Sequence, residues 1–184
     1  LHLDARAEPV ARQAAGLPPV GNSLPLDRWL DASGGPLRAV QLTATGRPVY
    51  LADDAEAFVR FDGKDDHLSL LGPRRRGKEV TVFVLAAPHS NPGGFSGLFA
   101  ASEAGRNDYT SGINLDQGPV KSADLSVLNV EAGGGVGYRN LLQPGRNLAS
   151  GLPFGSFHVF TVRSTIGPKG NEAFLDGVKL GDRP

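Results

Sequence analysis

Short apolar runs separated by turn residues recur along the chain, and no stretch keeps the apolar spacing of a long amphipathic helix. In residues 1–48 the runs are interrupted by proline at several positions, and proline disrupts the interior of a helix. At most, Ala5 to Ala15 is predicted to form one or two helical turns. Residues 1–48 are therefore predicted to be an irregular wrapping segment with edge strands.

From residue 49 onward the pattern becomes typical of β-strands bounded by Gly, Asn and Asp. The runs at 57–61 and 67–71 are predicted to pair as a hairpin through the loop 62–66. Val80 to Ala87 is apolar on both faces, which predicts a strand covered on both sides in the middle of a packed sandwich. Further strands are predicted at 97–101, 109–115, 124–130, 157–165, 172–175 and 178–180, the last two joined by a type I′ turn at Asp176-Gly177.

Many short strands without helix-length spacing between them predict an all-β chain, either an antiparallel β-sandwich or a jelly roll. The composition agrees, because 25 Gly and 14 Pro among 184 residues exclude a helical bundle. The length fits a single domain over residues 1–184, with the main sandwich at 49–184.

Charge and cysteine content narrow the choice of partners. Lys plus Arg equals Asp plus Glu at 19 each, so no net field attracts the chain to nucleic acid. The absence of cysteine excludes a disulfide scaffold and a thiolate metal site. No apolar run is long enough to cross a membrane, so no membrane insertion is predicted. A chain that has no methionine and opens at Leu1 is expected to be a processed or excised piece of a longer protein.

Catalytic motifs are weak in this sequence. The four histidines are scattered, with no pair at the spacing of a helical zinc site. Sandwich glycosidases carry two carboxylates at alternating positions of one strand, whereas Asp108, Asp116, Glu131 and Asp176 fall on separate segments. The sequence therefore favours a chain that is not an enzyme.

Clustered aspartates suggest calcium, a hard cation that prefers oxygen ligands. The candidate ligands are Asp62, Asp65 and Asp66 in the predicted hairpin loop, and Ca²⁺ is the only cofactor that the sequence suggests. Turn chemistry is the alternative explanation, because Asp and Gly occupy such loops without an ion.

Several short motifs, taken in order, carry a resemblance to a known family. They read LHLDA at 1–5, WLDASG at 29–34, RPV at 47–49, VRFDGKDDHL at 59–68, DYTSGINLD at 108–116, LNVE at 128–131, FHVFTVR at 157–163 and FLDGV at 174–178. Together they resemble the laminin G-like (LamG) modules of the concanavalin A-like lectin/glucanase superfamily, found in large exported multidomain proteins of bacteria. The resemblance implies a two-sheet jelly roll located in the periplasm, outside the cell or on its surface.

Modules of this family continue for about two more strands after the Asp-Gly hairpin. The resemblance therefore implies that the sheet is completed by residues that follow or by another chain, since an incomplete sheet leaves backbone groups unpaired.

The resemblance implies function only loosely, because the fold carries many functions. The first hypothesis is a non-catalytic recognition module that binds a glycan or a neighbouring protein domain. Glycan sites combine an aromatic platform with amide and carboxylate groups, and the candidates are Asp108, Tyr109, Asn114, Asp116 and Tyr138. The second hypothesis is a structural or assembly domain without a free ligand. A sandwich glycoside hydrolase is the third.

Overall fold

The computed structural model describes residues 1–73, 79–103, 105–107, 112–132, 151–165 and 170–183. In these ranges the chain is mostly β, with one α-helix and four antiparallel sheets, so the predicted all-β class is confirmed. No helix in these ranges is long and apolar enough to span a membrane. Contacts divide the chain into two compact units, unit 1 at residues 1–75 and unit 2 at residues 76–184. That residues 1–184 form a single domain, and that this domain is a jelly roll, stay predictions.

Unit 1 contains one helix and two small sheets. Its elements are α1 (Glu8–Ala14), β1 (Leu24–Pro25), β2 (Arg28–Leu30), β3 (Arg38–Val40), a 3₁₀ turn (Ala44–Gly46), β4 (Val49–Ala52), β5 (Ala57–Arg60) and β6 (Ser69–Leu71). The strand orders are β1-β4-β5 and β2-β3-β6. The helix lies within the predicted range and ends where Gly16 adopts a left-handed φ of 66°.

A buried ion-pair network ties α1 to the region of β2. Arg12, itself 5% exposed, lies 3.6 Å from a Glu8 carboxylate oxygen and donates to Asp27 at 3.0 Å. Glu8 is 1% exposed and accepts a backbone hydrogen bond from Leu30. Burial raises the pKa of Glu8 despite these contacts. Partial burial also acts to raise the pKa of Asp27, but hydrogen bonds from Arg12 and Arg28 outweigh it and hold that pKa below its ordinary value.

The predicted hairpin between 57–61 and 67–71 is wrong, although both strands exist. β5 pairs only with β4, while β6 pairs with β3 in the other sheet. The loop between them does not bring its flanking strands together. Instead, Ser69–Leu71 finds its partner about 30 residues earlier in the chain, at Arg38–Val40. Local turn residues signal a reversal of direction but not which strands pair afterwards.

Unit 2 contains two sheets that share one hydrophobic core. Its strands are β7 (Glu79–Ala86), β8 (Gly97–Ala101), β9 (Ile113–Asp116), β10 (Asn129–Ala132), β11 (His158–Thr165), β12 (Asn171–Leu175) and β13 (Val178–Arg183). Their orders are β10-β9-β8 and β13-β12-β11-β7. The core joins Leu115 and Val130 of the first sheet to Phe160, Val162 and Leu175 of the second. Unit 2 is thus sandwich-like.

Two strand predictions in unit 2 need narrower bounds. The predicted strand 109–115 is observed from Ile113, and residues 109–111 lie outside the described ranges. The predicted strand 124–130 is paired continuously only from Asn129, while Leu125 forms an isolated bridge with Leu152.

The hairpin between β12 and β13 is confirmed. Asp176 and Gly177 have φ of 50° and 79°, the left-handed pair that a type I′ turn requires. This turn fixes the register in which Leu175 pairs with Val178.

The predicted burial of the strand 80–87 on both faces is wrong. β7 is the edge strand of its sheet and none of its eight residues is buried. Val84 and Ala86 pack against the core of unit 2, whereas Phe83 and Leu85 are 71% and 68% exposed on the opposite face. A run that is apolar on both faces predicts that other parts of the chain pack against both faces. In the described part of the chain, however, β7 pairs with β11 alone, and its outer face is exposed.

Candidate functional site

The five predicted ligand residues fall into two groups. Asn114 and Asp116 lie in β9, whereas Asp108, Tyr109 and Tyr138 lie outside the residues that the structure describes. The first two can therefore be placed in a site, and the surroundings of β9 define what that site contains.

Alternation along β9 separates apolar from polar side chains. Ile113 and Leu115 belong to the core, so Asn114 and Asp116 project from the opposite face of the sheet. On β10, Val130 likewise points into the core. The residues on either side of it, Asn129 and Glu131, lie directly opposite Asp116 and Asn114 in the antiparallel register. We call these four side chains, Asn114, Asp116, Asn129 and Glu131, the polar row.

The polar row is held by reciprocal hydrogen bonds across the strand pair. Asn114 Nδ2 donates to Glu131 Oε2 at 3.0 Å, and Asn114 Oδ1 accepts from the Glu131 backbone N–H at 2.9 Å. Asn129 Nδ2 donates to Asp116 Oδ2 at 3.0 Å, and Asp116 Oδ1 accepts from the Gly118 backbone N–H at 2.6 Å. Each carboxyl group thus accepts a hydrogen bond from a carboxamide on the facing strand.

All four side chains of the polar row are buried, with exposed fractions between 0% for Asn129 and 7% for Glu131. Asn129 Oδ1 is a buried acceptor that receives no hydrogen bond from the described residues. Asp116 and Glu131 both accept amide protons, which suits a positioning role better than proton transfer. A direct ligand contact by Asn114 and Asp116 stays a prediction.

The ends of β9 and β10 connect the polar row to the other candidates. Ile113, the first residue of β9, lies opposite Ala132, the last residue of β10. Along the sequence, Tyr109 lies four residues before Ile113 and Tyr138 lies six residues after Ala132. Asp116 and its partner Asn129 lie at the other end of the strand pair.

The predicted calcium ligands do lie close together. One carboxylate oxygen from each of Asp62, Asp65 and Asp66 falls within 4.8 Å of the others. Asp62 Oδ1 accepts the backbone N–H of Lys64 at 2.8 Å, and Asp66 Oδ2 accepts that of Asp62 at 2.9 Å. The bond from Lys64 is the main reason that the pKa of Asp62 is lowered. These contacts are those of an Asp-centred turn, and calcium binding stays a prediction.

A histidine–aspartate pair at the β12–β13 hairpin has a structural role. His158 Nδ1 lies 2.7 Å from Asp176 Oδ2, and Asp176 Oδ1 accepts the Val159 backbone N–H at 2.8 Å. Partial desolvation acts to raise the pKa of Asp176, but the bonds from Val159 and His158 lower it overall. His158 Nε2 is buried with no partner in the described ranges, while the ring edge contacts Phe160. This packing is that of a structural histidine.

Sequence reasoning missed the partnership of Asn129 and Glu131 with the predicted ligands. The available signal was the repeated pattern of a polar, an apolar and an acidic residue in Asn114-Leu115-Asp116 and Asn129-Val130-Glu131. Each pattern predicts a strand with one polar face, but neither predicts that the two strands pair with their polar side chains in contact.

Comparison of the chain with protein-family models, with curated protein sequences and with solved structures found no match in any of the three.

Proposed function

We propose that the chain is a non-catalytic recognition module of the LamG, concanavalin A-like kind, belonging to a larger exported bacterial protein, and that its ligand is a carbohydrate. Support for the family comes from the ordered motifs of the sequence, and the sandwich-like core of unit 2 is compatible with it. The proposed location, periplasmic, extracellular or on the cell surface, follows from the same resemblance.

The observation that carries the carbohydrate proposal is the common end of β9 and β10. Ile113 and Ala132 are directly opposite each other, and they are the described strand ends that lie nearest in the sequence to the candidate aromatic and acidic residues. Tyr109 and Tyr138 offer flat apolar faces for a sugar ring, and Asp108 offers a carboxylate for its hydroxyl groups. This is the combination of groups that glycan sites use.

The polar row has a positioning role in this proposal. Its side chains are buried and bonded to each other, so they hold the two strand ends in a fixed relation. Buried hydrogen-bonded carboxylates give such a base rigidity because breaking any single bond leaves a charged group unsatisfied. Asn114 and Asp116 thus contribute to the proposed site by fixing β9 against β10.

A glycan array followed by calorimetric titration of any glycan that binds tests the proposal. Tyr109→Ala and Tyr138→Ala are each expected to weaken binding roughly fivefold or more, since stacking of a sugar ring on an aromatic side chain contributes about 1 kcal/mol or more. Phe61→Ala, an exposed aromatic of unit 1, is the matched control and should bind like the parent chain. Parallel titrations with calcium and with a chelator separate a metal-dependent site from a metal-independent one.

Absence of any glycan signal would refute the carbohydrate ligand. Equal losses in Tyr109→Ala, Tyr138→Ala and Phe61→Ala would show that binding does not occur at the end of β9 and β10.

A structural or assembly domain is the second candidate function, and one observation favours it. β7 presents apolar side chains on both faces and has no buried residue, which is unusual for an edge strand that is exposed to solvent. Exposed apolar surface of this kind is typical of protein interfaces.

A further inference from the structure

β7 has a free edge as well as an exposed apolar face. Every residue of Glu79–Ala86 pairs with β11 on one side, and in the described part of the chain no strand pairs with the other side. Edge strands in soluble proteins are normally short, charged or interrupted by proline. β7 has eight residues, a single charge at its first position, and no proline.

The exposure of β7 shows what a neighbour would have to supply. On the core side, Val82 and Val84 are half-buried, and on the outer side Phe83 and Leu85 are largely exposed. A strand that covers this edge must therefore carry apolar side chains on both of its faces. β7 itself has this pattern, with valines on one face and Phe83 and Leu85 on the other.

We propose that β7 pairs antiparallel with β7 of a second copy of the chain about a two-fold axis at Phe83, so that two four-stranded sheets become one continuous sheet. A two-fold axis perpendicular to the sheet keeps the core sides together and the outer sides together. The apolar stretch Val80 to Ala86 is centred on Phe83, so this register places Val82 opposite Val84 and Thr81 opposite Leu85.

Charge favours the antiparallel direction. Glu79 of one copy falls opposite Ala87 of the other, so the only charges of the paired strands lie at opposite ends, eight residues apart. A parallel arrangement would bring the two Glu79 side chains to the same end, where like charges repel. The pairing uses a different sheet from the polar row, so it does not depend on carbohydrate binding.

Sedimentation equilibrium on the whole 184-residue chain tests the pairing, with a dimer expected at twice the monomer mass of 19.3 kDa. Phe83→Lys and Phe83→Glu place like charges against each other at the axis, and each is expected to raise the dissociation constant roughly tenfold or more. Mixing the two variants should restore a dimer. Val178→Lys, on the opposite edge strand of the same sheet, is the matched control and should dimerise like the parent chain.

Cross-linking tests the register, because the chain has no cysteine of its own. Phe83→Cys should form a disulfide-linked dimer, since opposed residues of an antiparallel pair have Cα atoms about 5 Å apart, within disulfide reach. Leu85→Cys should not, because the two copies of position 85 are then separated by about 13 Å along the strands.

A parent chain that stays monomeric at about 100 μM, where even weak interfaces associate, overturns the pairing. A dimer that is unaffected by both charged variants, or a disulfide that forms at position 85 and not at 83, overturns it equally. Because Phe83 is 71% exposed, the charged variants should keep the parent circular dichroism spectrum, and the mixed Lys and Glu pair separates lost association from lost folding.

Discussion

The hydrogen bond between Asn129 and Asp116 provides a sharp test of the polar row. Asn129 is fully buried, and its Nδ2 donates to Asp116 Oδ2 at 3.0 Å. Asn129→Asp keeps the size of the side chain but replaces the donor by a second carboxyl group beside the first. Two carboxylates at this distance repel each other strongly away from water, so the introduced group is expected to take up a proton in the folded chain.

Protonation sets the magnitude of the effect. Holding a carboxyl of ordinary pKa about 3.9 in its protonated form costs about 4 kcal/mol at pH 7 and about 1.5 kcal/mol at pH 5. Once protonated, the introduced group donates its O–H to Asp116 and replaces the lost amide bond. The folded pKa of the introduced group lies above its unfolded value, so the destabilisation grows as the pH rises and shrinks as it falls.

The assay is urea unfolding followed by far-ultraviolet circular dichroism at pH 5 and pH 7. The only tryptophan, Trp29, lies in unit 1, so its fluorescence reports on unit 1 separately. Asn22→Asp is the matched control, because exposed Asn22 only accepts a backbone bond from Ala52. It is expected to stay within about 0.5 kcal/mol of the parent chain. Equal stability of Asn129→Asp and the parent at pH 7, or a deficit that does not change with pH, would refute the buried contact.

Four further predictions concern unit 1 and the last hairpin. Arg12→Met leaves Glu8 buried without its cation and should reduce unfolding free energy by about 3 to 5 kcal/mol, measured by the fluorescence of Trp29. In the parent chain, the stabilisation from Asp27, whose pKa is lowered by folding, should be complete above about pH 4 and lost as the pH falls further. Gly177→Ala should cost about 1 kcal/mol, because the φ of 79° strains any residue with a Cβ even in open space. Asp62 Oδ1 accepts the backbone N–H groups of Lys64 and Asp65, so the turn explanation predicts that a chelator leaves the melting temperature unchanged.

Each of these expectations has a clear contrary result. A normal midpoint for Arg12→Met would mean that Glu8 is neutral or hydrated in the fold. If the urea midpoint of the parent chain, followed by the fluorescence of Trp29, is no lower at pH 3 than at pH 5, the lowered pKa of Asp27 is contradicted. Gly177→Asn should lose less than Gly177→Ala, since asparagine tolerates the left-handed region, and the reverse order would argue against the turn. A melting temperature that rises with calcium and falls with chelator would favour the predicted ion site.

Local signals predicted local structure well. The dipeptide at Asp176 and Gly177 specified a type I′ turn because few other residues adopt positive φ at both positions. The proline-limited helix was likewise found within the predicted segment. Pairing over long distances was not predictable in the same way, since Ser69–Leu71 joins Arg38–Val40 through contacts that no local pattern encodes.

Burial and side-chain partnership were the least predictable properties. An apolar pattern on both faces of β7 predicted cover on both sides, but the pattern records only what the strand can bury and not whether a neighbour is present. Similarly, Asn114 and Asp116 were predicted from their chemistry, whereas their partners Glu131 and Asn129 follow only from the register of two strands. A single sequence shows which residues are polar and leaves open which of them meet.

The polar row also determines how many ways β9 and β10 can be assembled. A slip of one residue in β9 would turn Asn114 and Asp116 toward the core, against Phe160 and Leu175, and would place Ile113 and Leu115 on the face of the polar row. Two purely apolar strands would tolerate such a slip with little loss. Here the slipped state would bury a carboxylate in an apolar core, so the chain has one low-energy alignment at this point, and misaligned intermediates should be short-lived during folding.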